Sequence, residues 1–335
     1  MTDIATHPTR PQPRADREGP GSAFLGWLSG QYALGILVVL LVIAGLSTSA
    51  FFTPRNLTNV ILQVSVVGIV ALAQFLVVLT GGIDISVGSV VGLSGVLAAG
   101  LFGGENVLVA ILVALAVGLL VGVINGYLVA FRGLEAFIVT LGMMALARGL
   151  VYAQTEGVPV SPGAENFRVI ATTAVGPVPL LGIIWIAIAV GIWFLVSRTV
   201  FGRRVYALGS SRQAAEASGI PVRSTTLWVY MIAGLLVGFA GFLLASRVGS
   251  ATPTGGLNYE LDTIAAVVIG GASLVGGRGR VFGTVVGVLI FGVISNLLVL
   301  LNVSTFLQDA FRGGLILVAV LLTTIQLRAR KRAAA

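Results

Sequence analysis

Residues Asn56–Gly104 read NLTNVILQVSVVGIVALAQFLVVLTGGIDISVGSVVGLSGVLAAGLFGG, and Asp84 is the one charged side chain in the stretch. A helix needs roughly 20 apolar residues to cross a hydrocarbon core about 30 Å thick. The stretch therefore holds two crossings, separated by a polar, glycine-rich break at Thr80–Ser86. Uncharged runs such as Gln31–Pro54 and Val107–Phe131 repeat the pattern along the chain. A spanning β-barrel would alternate apolar and polar positions over about ten residues. Val107–Leu120 is apolar on every side instead. The reading is an all-α polytopic membrane protein.

Composition agrees. Of 335 residues 57% are hydrophobic and 10% charged, with a mean hydropathy of +1.04. Soluble domains carry about 25% charged residues. The 45 glycines suit close helix contact through small residues. The formal charge of +8 marks no nucleic-acid surface, because no basic patch lies on a foldable soluble face. The chain has no cysteine and a single histidine, His7, which excludes disulfides, thiol catalysis and a histidine metal cluster. Residues 1–30 read as a disordered tail with four prolines before Ser22. The apolar run Tyr32–Leu46 reads as an uncleaved first helix rather than a signal peptide, given the many spans that follow.

Punctuation by turns and charges gives about ten spans: 31–50, 60–79, 85–102, 107–130, 136–155, 179–197, 226–246, 262–277, 282–301 and 311–327. With both termini cytoplasmic, fifteen Arg or Lys residues fall inside, including the basic tail 328–335. Four fall outside, and Arg148 lies within a span. Acidic residues divide evenly, so the asymmetry belongs to the cations. Gly122-Val-Ile-Asn-Gly-Tyr-Leu-Val in the fourth span echoes Gly292-Val-Ile-Ser-Asn-Leu-Leu-Val in the ninth. Those spans run in opposite directions, as two inverted repeats require.

Two glycine-broken segments, Leu79–Gly88 and Gly270–Gly279, occur one per half. They are either unwound stretches lining a solute path or tight cytoplasmic turns. Asp84 and Ser86 in the first, and Ser273 in the second, are candidates for the path. Asp84 equally suits the start of a helix. Asn125, Thr140 and Asn296 either meet a polyol in the path or join helices. Arg148, deep in a span, must pair, snorkel or face water.

The longest cytoplasmic loop spans about 198–225. Its core, Gly209–Val222, holds helix formers capped by Ser211 and stopped by Gly219 before Pro221. A short helix of this kind fits a groove on a soluble partner or rests on lipid headgroups. Nucleotide chemistry lies elsewhere, because the sole lysine, Lys331, sits in the C-terminal tail and no G-x-x-x-x-G-K-[ST] loop exists. The residues alone leave three classes open. These are a subunit coupled to a separate ATPase, an ion-driven secondary transporter using Asp84, and a passive pore or scaffold.

From about residue 55 to 327 the chain resembles the permease subunits of ribose-type sugar ABC importers. Four blocks carry the resemblance: Leu79–Gly88, Phe137–Gly142 with Arg148-Gly149, Ala217–Pro221 and Leu261–Gly279. It implies an inner-membrane homodimer that imports a monosaccharide or related polyol by alternating access. It further implies an extracytoplasmic solute-binding protein and cytoplasmic ATP-binding cassettes. No cofactor belongs to this chain, since ATP and Mg sit on the cassettes. The coupling segment would use Gly209, Arg212, Ala214, Ala215, Glu216, Ser218, Gly219 and Ile220. Two positions depart from the family pattern: Ala136 stands where Pro is common, and Arg212-Gln213 where an acidic residue often opens the coupling loop.

Overall fold

A computed structural model of the chain describes residues 32–100, 106–163, 165–315, 317 and 321. The tails expected over 1–30 and 328–335 lie outside the described residues. In chain order the α-helices are α1 (Tyr32–Ser47), α2 (Pro54–Leu79), α3 (Val87–Gly100), α4 (Val107–Ala130), α5 (Ala136–Thr155), α6 (Val169–Thr172) and α7 (Leu180–Arg198). There follow α8 (Val200–Ser210), α9 (Arg212–Ala217), α10 (Val222–Val248), α11 (Tyr259–Ile269) and α12 (Val281–Leu300), then α13 over 305–315. A two-residue hairpin, β1 (Ala174–Val175) and β2 (Val178–Pro179), leads into α7.

Among the described residues six helices, α2, α4, α5, α7, α10 and α12, are long and apolar enough to cross a membrane. The chain is an all-α polytopic membrane protein. α1 and α3 are shorter apolar helices of 16 and 14 residues. At 1.5 Å per residue α3 reaches only about 21 Å. The span expected over 262–277 is corrected. Its helix is α11, which ends at Ile269, and 270–280 is not helical. Gly271, Gly276 and Gly277 adopt φ of +89°, +95° and +68°, which no helix accepts and L side chains avoid. The cytoplasmic loop expected over 198–225 is also more ordered than a single short helix, since it contains both α8 and α9.

α2 and α10 form the centre. Most of α2 is buried, against α10, α12, α7 and α11. α10 crosses α4 where both backbones are bare: a Cβ on Gly238 would strike the Ala114 carbonyl and lie 2.9 Å from the Gly118 Cα. Gly118 and Gly234 block each other in the same way. Lipid is as apolar as leucine, so helix association rests on such close backbone packing rather than on water exclusion. α3 packs on α10, α4 and α5, while α12 packs on α2, α11 and α1. The apolar side chains left outward on α4, α5 and α7, such as Leu112, Ile138 and Phe194, are the surface a lipid-facing bundle needs.

Candidate functional site

The break between α2 and α3 is a buried polar junction. α2 stops at Leu79, Gly81 turns with φ of +82°, and 82–86 is neither helix nor strand before α3 begins at Val87. The Asp84 carboxylate accepts hydrogen bonds from the Ser86 amide at 2.8 Å and the Ser86 hydroxyl at 2.6 Å. Asn125 on α4 donates its Nδ2 to the Ser86 Oγ at 3.2 Å. Thr140 on α5 receives the Ile85 amide at 3.2 Å, with its own hydroxyl near the Ile83 and Ala136 carbonyls. Asp84, Ser86, Asn125 and Thr140 are all buried and meet here. Four of the seven expected path residues are thus one cluster joining three helices.

Tyr230 of α10 completes it and was not among the sequence candidates. Its hydroxyl lies 3.1 Å from where a Gly82 Cβ would stand. Both the Tyr230 hydroxyl and the Asn125 Oδ1 lack a hydrogen-bond partner. A tyrosine inside an apolar span looks like core in sequence, and only the fold brings it to the break.

The other three expected path residues lie elsewhere. Arg148 donates its Nη1 to the carbonyls of Pro253 at 2.9 Å and Gly255 at 3.2 Å, so it holds the 252–256 loop. That loop walls a cavity of about 220 Å³ floored by Gly92, Gly95 and Gly241. Asn296 exchanges hydrogen bonds with Asn56 across the α2–α12 contact. Ser273 shapes its own turn, its carbonyl accepting from Gly276 and its hydroxyl from Val275.

The Gly209–Val222 segment is built as its residues suggest. Ser211 caps α9 by accepting the Ala214 amide at 3.2 Å, and Gly219 leaves the helix with φ of +74°. Arg212 and Glu216 pair at 3.2 Å on its exposed face. Ala215 is buried with Leu208 of α8 and Val222 of α10, with Ile220 against them. Gly209, Ala214 and Ser218 complete the stretch, the Ser218 hydroxyl bonding back to the Ala214 carbonyl at 2.8 Å.

α8 went unseen in the sequence. Thr199 caps it through the Gly202 amide at 3.2 Å, and Gly202 sits directly on Val196 at the turn from α7. Its inner face reaches both glycine-broken segments. The Gly277 amide donates to the Leu79 carbonyl at 2.9 Å, and the Tyr206 hydroxyl donates to the Gly279 carbonyl at 2.9 Å. Burial holds the Tyr206 phenol above the ordinary tyrosine range, partly offset by the Arg280 guanidinium, so it remains a donor at neutral pH.

The loop contacts sort into two sets. Residues 79–85, 136–140, 206–210 and 275–279 touch one another. Separately, Asn56 meets Asn296, Val160 pairs with Ala251, Phe167 receives Ser246, and Arg312 lies 3.7 Å from Asp262. Among the described residues these contacts join no member of one set to the other.

A family model described as the branched-chain amino acid transport system permease component matches residues 56–320. The ribose import permease protein of Escherichia coli K12 is 43% identical over 304 residues, covering 88% of this chain and 94% of that one. The ribose import permease protein of Bacillus subtilis 168 is 44% identical over 292 residues, covering 86% and 90%. The D-allose transport system permease protein of E. coli K12 is 36% identical over 316 residues, covering 94% and 97%. No solved structure matches. With most of its length matched by the family model and by relatives of this similarity, the chain belongs to the branched-chain amino acid transport system permease component family.

Proposed function

We propose that the chain is the membrane permease subunit of an ATP-driven importer of a monosaccharide or related polyol. The observation that carries this is the identity with ribose import permeases across nearly the whole of both chains. ATP is hydrolysed on separate cytoplasmic cassettes, and an extracytoplasmic solute-binding protein delivers the solute. Alternation between two states of the bundle moves it, so this chain makes or breaks no covalent bond.

The bundle crosses the inner membrane ten times, with the shorter α1, α3, α11 and α13 completing the count. The two sets of loop contacts support this threading, because each gathers only loops assigned to the same side. Two inverted repeats are supported by the packing. Exchanging α2 with α10, α3 with α11 and α4 with α12 turns each contact into another one that exists. α4–α10 becomes α12–α2, α3–α10 becomes α11–α2, and α3–α4 becomes α11–α12.

A second copy docks along α5. A Cβ on Gly142 or Gly149, on its outward face, would meet nothing from the other helices within 4 Å, and Ala145 is exposed beside them. Small residues at this spacing let a neighbouring helix approach closely. Asp84, Ser86, Asn125 and Thr140 line the path, while the 209–222 segment contacts the cassettes.

The test is reconstitution of the chain into liposomes with its cassette and solute-binding partner proteins. ATP-dependent uptake of D-ribose, D-allose, L-arabinose or D-galactose is expected. Uptake by this chain alone, driven by a proton or sodium gradient without ATP, would overturn the reading.

A further inference from the structure

α8 bears on both unwound segments at once, one from each half of the chain. A Cβ on Gly209 would lie 2.5 Å from the Gly277 amide nitrogen and would strike the Leu79 carbonyl. One on Gly276 would lie 2.7 Å from the Gly81 nitrogen and 2.8 Å from the Gly209 carbonyl oxygen. One on Gly277 would lie 2.7 Å from the Ser210 nitrogen. Three stretches distant in sequence therefore meet backbone to backbone. Tyr206 to Gly279 is the side-chain hydrogen bond that ties α8 to them among the described residues.

α8 also touches the other end of the chain of contacts. Leu208 is buried with Ala215 of α9, whose opposite face carries the exposed Arg212–Glu216 pair. From the Gly81 turn the contacts continue through Gly82 to Tyr230, and through Asp84 and Ser86 to Asn125 on α4. Packed and hydrogen-bonded groups thus run without a gap from the cytoplasmic face of α9 to the buried polar junction.

We propose that α8, held by Tyr206, is the transmission element that makes the two glycine-broken segments move as one when α9 is displaced. Tyr206 is a positioning residue: it touches neither solute nor nucleotide, and it fixes α8 against the 270–280 segment. Without its hydroxyl, α8 keeps the second half only through the backbone packing at Gly209 and Ser210, so a push on α9 reaches the Leu79–Ser86 break more fully than the 270–280 segment. ATP is then spent with fewer solute molecules moved. This rests on the reading of 209–222 as the cassette-contacting segment.

The experiment uses the complete transporter, with cassettes and solute-binding protein, in liposomes. It measures ATP hydrolysed per sugar imported, together with copurification of the cassettes. Tyr206→Phe keeps the ring and removes the hydroxyl. The expected result is unchanged cassette copurification and an ATP-to-sugar ratio raised about fivefold, the scale of one lost hydrogen bond. Gly209→Ala should raise the ratio further, and adding Tyr206→Phe to it should add little, because both act at one junction. An unchanged ratio in Tyr206→Phe would overturn the proposal. So would parallel loss of uptake, hydrolysis and cassette binding, which marks a plain folding role. Failure of the unaltered complex to import with ATP would strike the transport reading instead, so the two failures are distinguishable.

Discussion

Asn56 and Asn296 lie side by side across the α2–α12 contact, each amide donating to the other's carbonyl oxygen at 2.9 and 2.8 Å. Asn56 spends its second Nδ2 proton on the Phe51 carbonyl at 2.9 Å. Both side chains are buried and mutually satisfied, so the pair joins helices and offers little to a passing solute.

Asn296→Ala is therefore expected to leave Asn56 with an unpaired buried carbonyl and to cost about 1–3 kcal/mol of stability. Thermal unfolding in detergent reads this directly. Replacing both residues by Leu should recover part of the loss, since neither side-chain amide is then stranded and only the Phe51 carbonyl loses its donor. Sugar uptake per folded molecule should stay near the unaltered value. A drop in uptake at full stability would place Asn296 in the path.

Asp84→Asn keeps an acceptor for Ser86 and removes the charge. Its expected effect is an uptake rate about tenfold lower, equivalent to about 1.4 kcal/mol, at unchanged abundance in the membrane. Quantitative immunoblotting beside the uptake assay separates the alternatives. Equal loss of both would show that the carboxylate serves only to fold the α2–α3 junction.

Glycines at two places should respond oppositely. Gly238→Val drives a side chain into the Ala114 carbonyl and should cost about 1–3 kcal/mol or more through overpacking. A Cβ on Gly142 would meet nothing of its own chain and the position is exposed, so the fold should survive Gly142→Leu. What it should lose is contact with a second copy. Ala145→Cys gives a clean cross-linking probe because the chain has no native cysteine, and Gly142→Leu should abolish the cross-link.

Arg148→Ala removes the donor shared by the Pro253 and Gly255 carbonyls. The 252–256 loop should loosen, exposing its buried neighbour Ala251, whose backbone pairs with Val160. In an Ala251→Cys background, maleimide labelling from outside should accelerate about tenfold, the size of one charge-assisted hydrogen bond. Lost uptake without faster labelling would mean that Arg148 meets the solute rather than the loop.

The fold class was legible because uncharged runs of 20 or more residues have one solution in lipid. The arginine asymmetry assigned a direction to each expected span. The 262–277 span failed because hydropathy counts Gly270, Gly271 and Ala272 as apolar, whereas two of them supply the turn that ends α11 at Ile269. α8 escaped notice because Val200–Ser210 holds two arginines and two glycines, a loop-like composition. Its helix is stabilised by Val205 and Leu208 packing against the rest of the protein, which no local pattern records. Asp84, Ser86, Asn125 and Thr140 were each identifiable as polar groups in apolar surroundings. That Tyr230 joins them, and that Arg148 turns away to the 252–256 loop, depends on contacts across more than a hundred residues.

The central position of α2 bears on how the protein is made. At about 5–20 residues per second, the stretch from Leu79 to Val222 takes roughly 7–30 seconds to synthesise, so α2 leaves the ribosome well before α10 exists. Until then the Gln74 amide, enclosed in the finished bundle, faces lipid or the insertion machinery. A nascent chain arrested before Val222 would hold one of its central, largely buried helices in the open, which makes such fragments natural targets for membrane proteases.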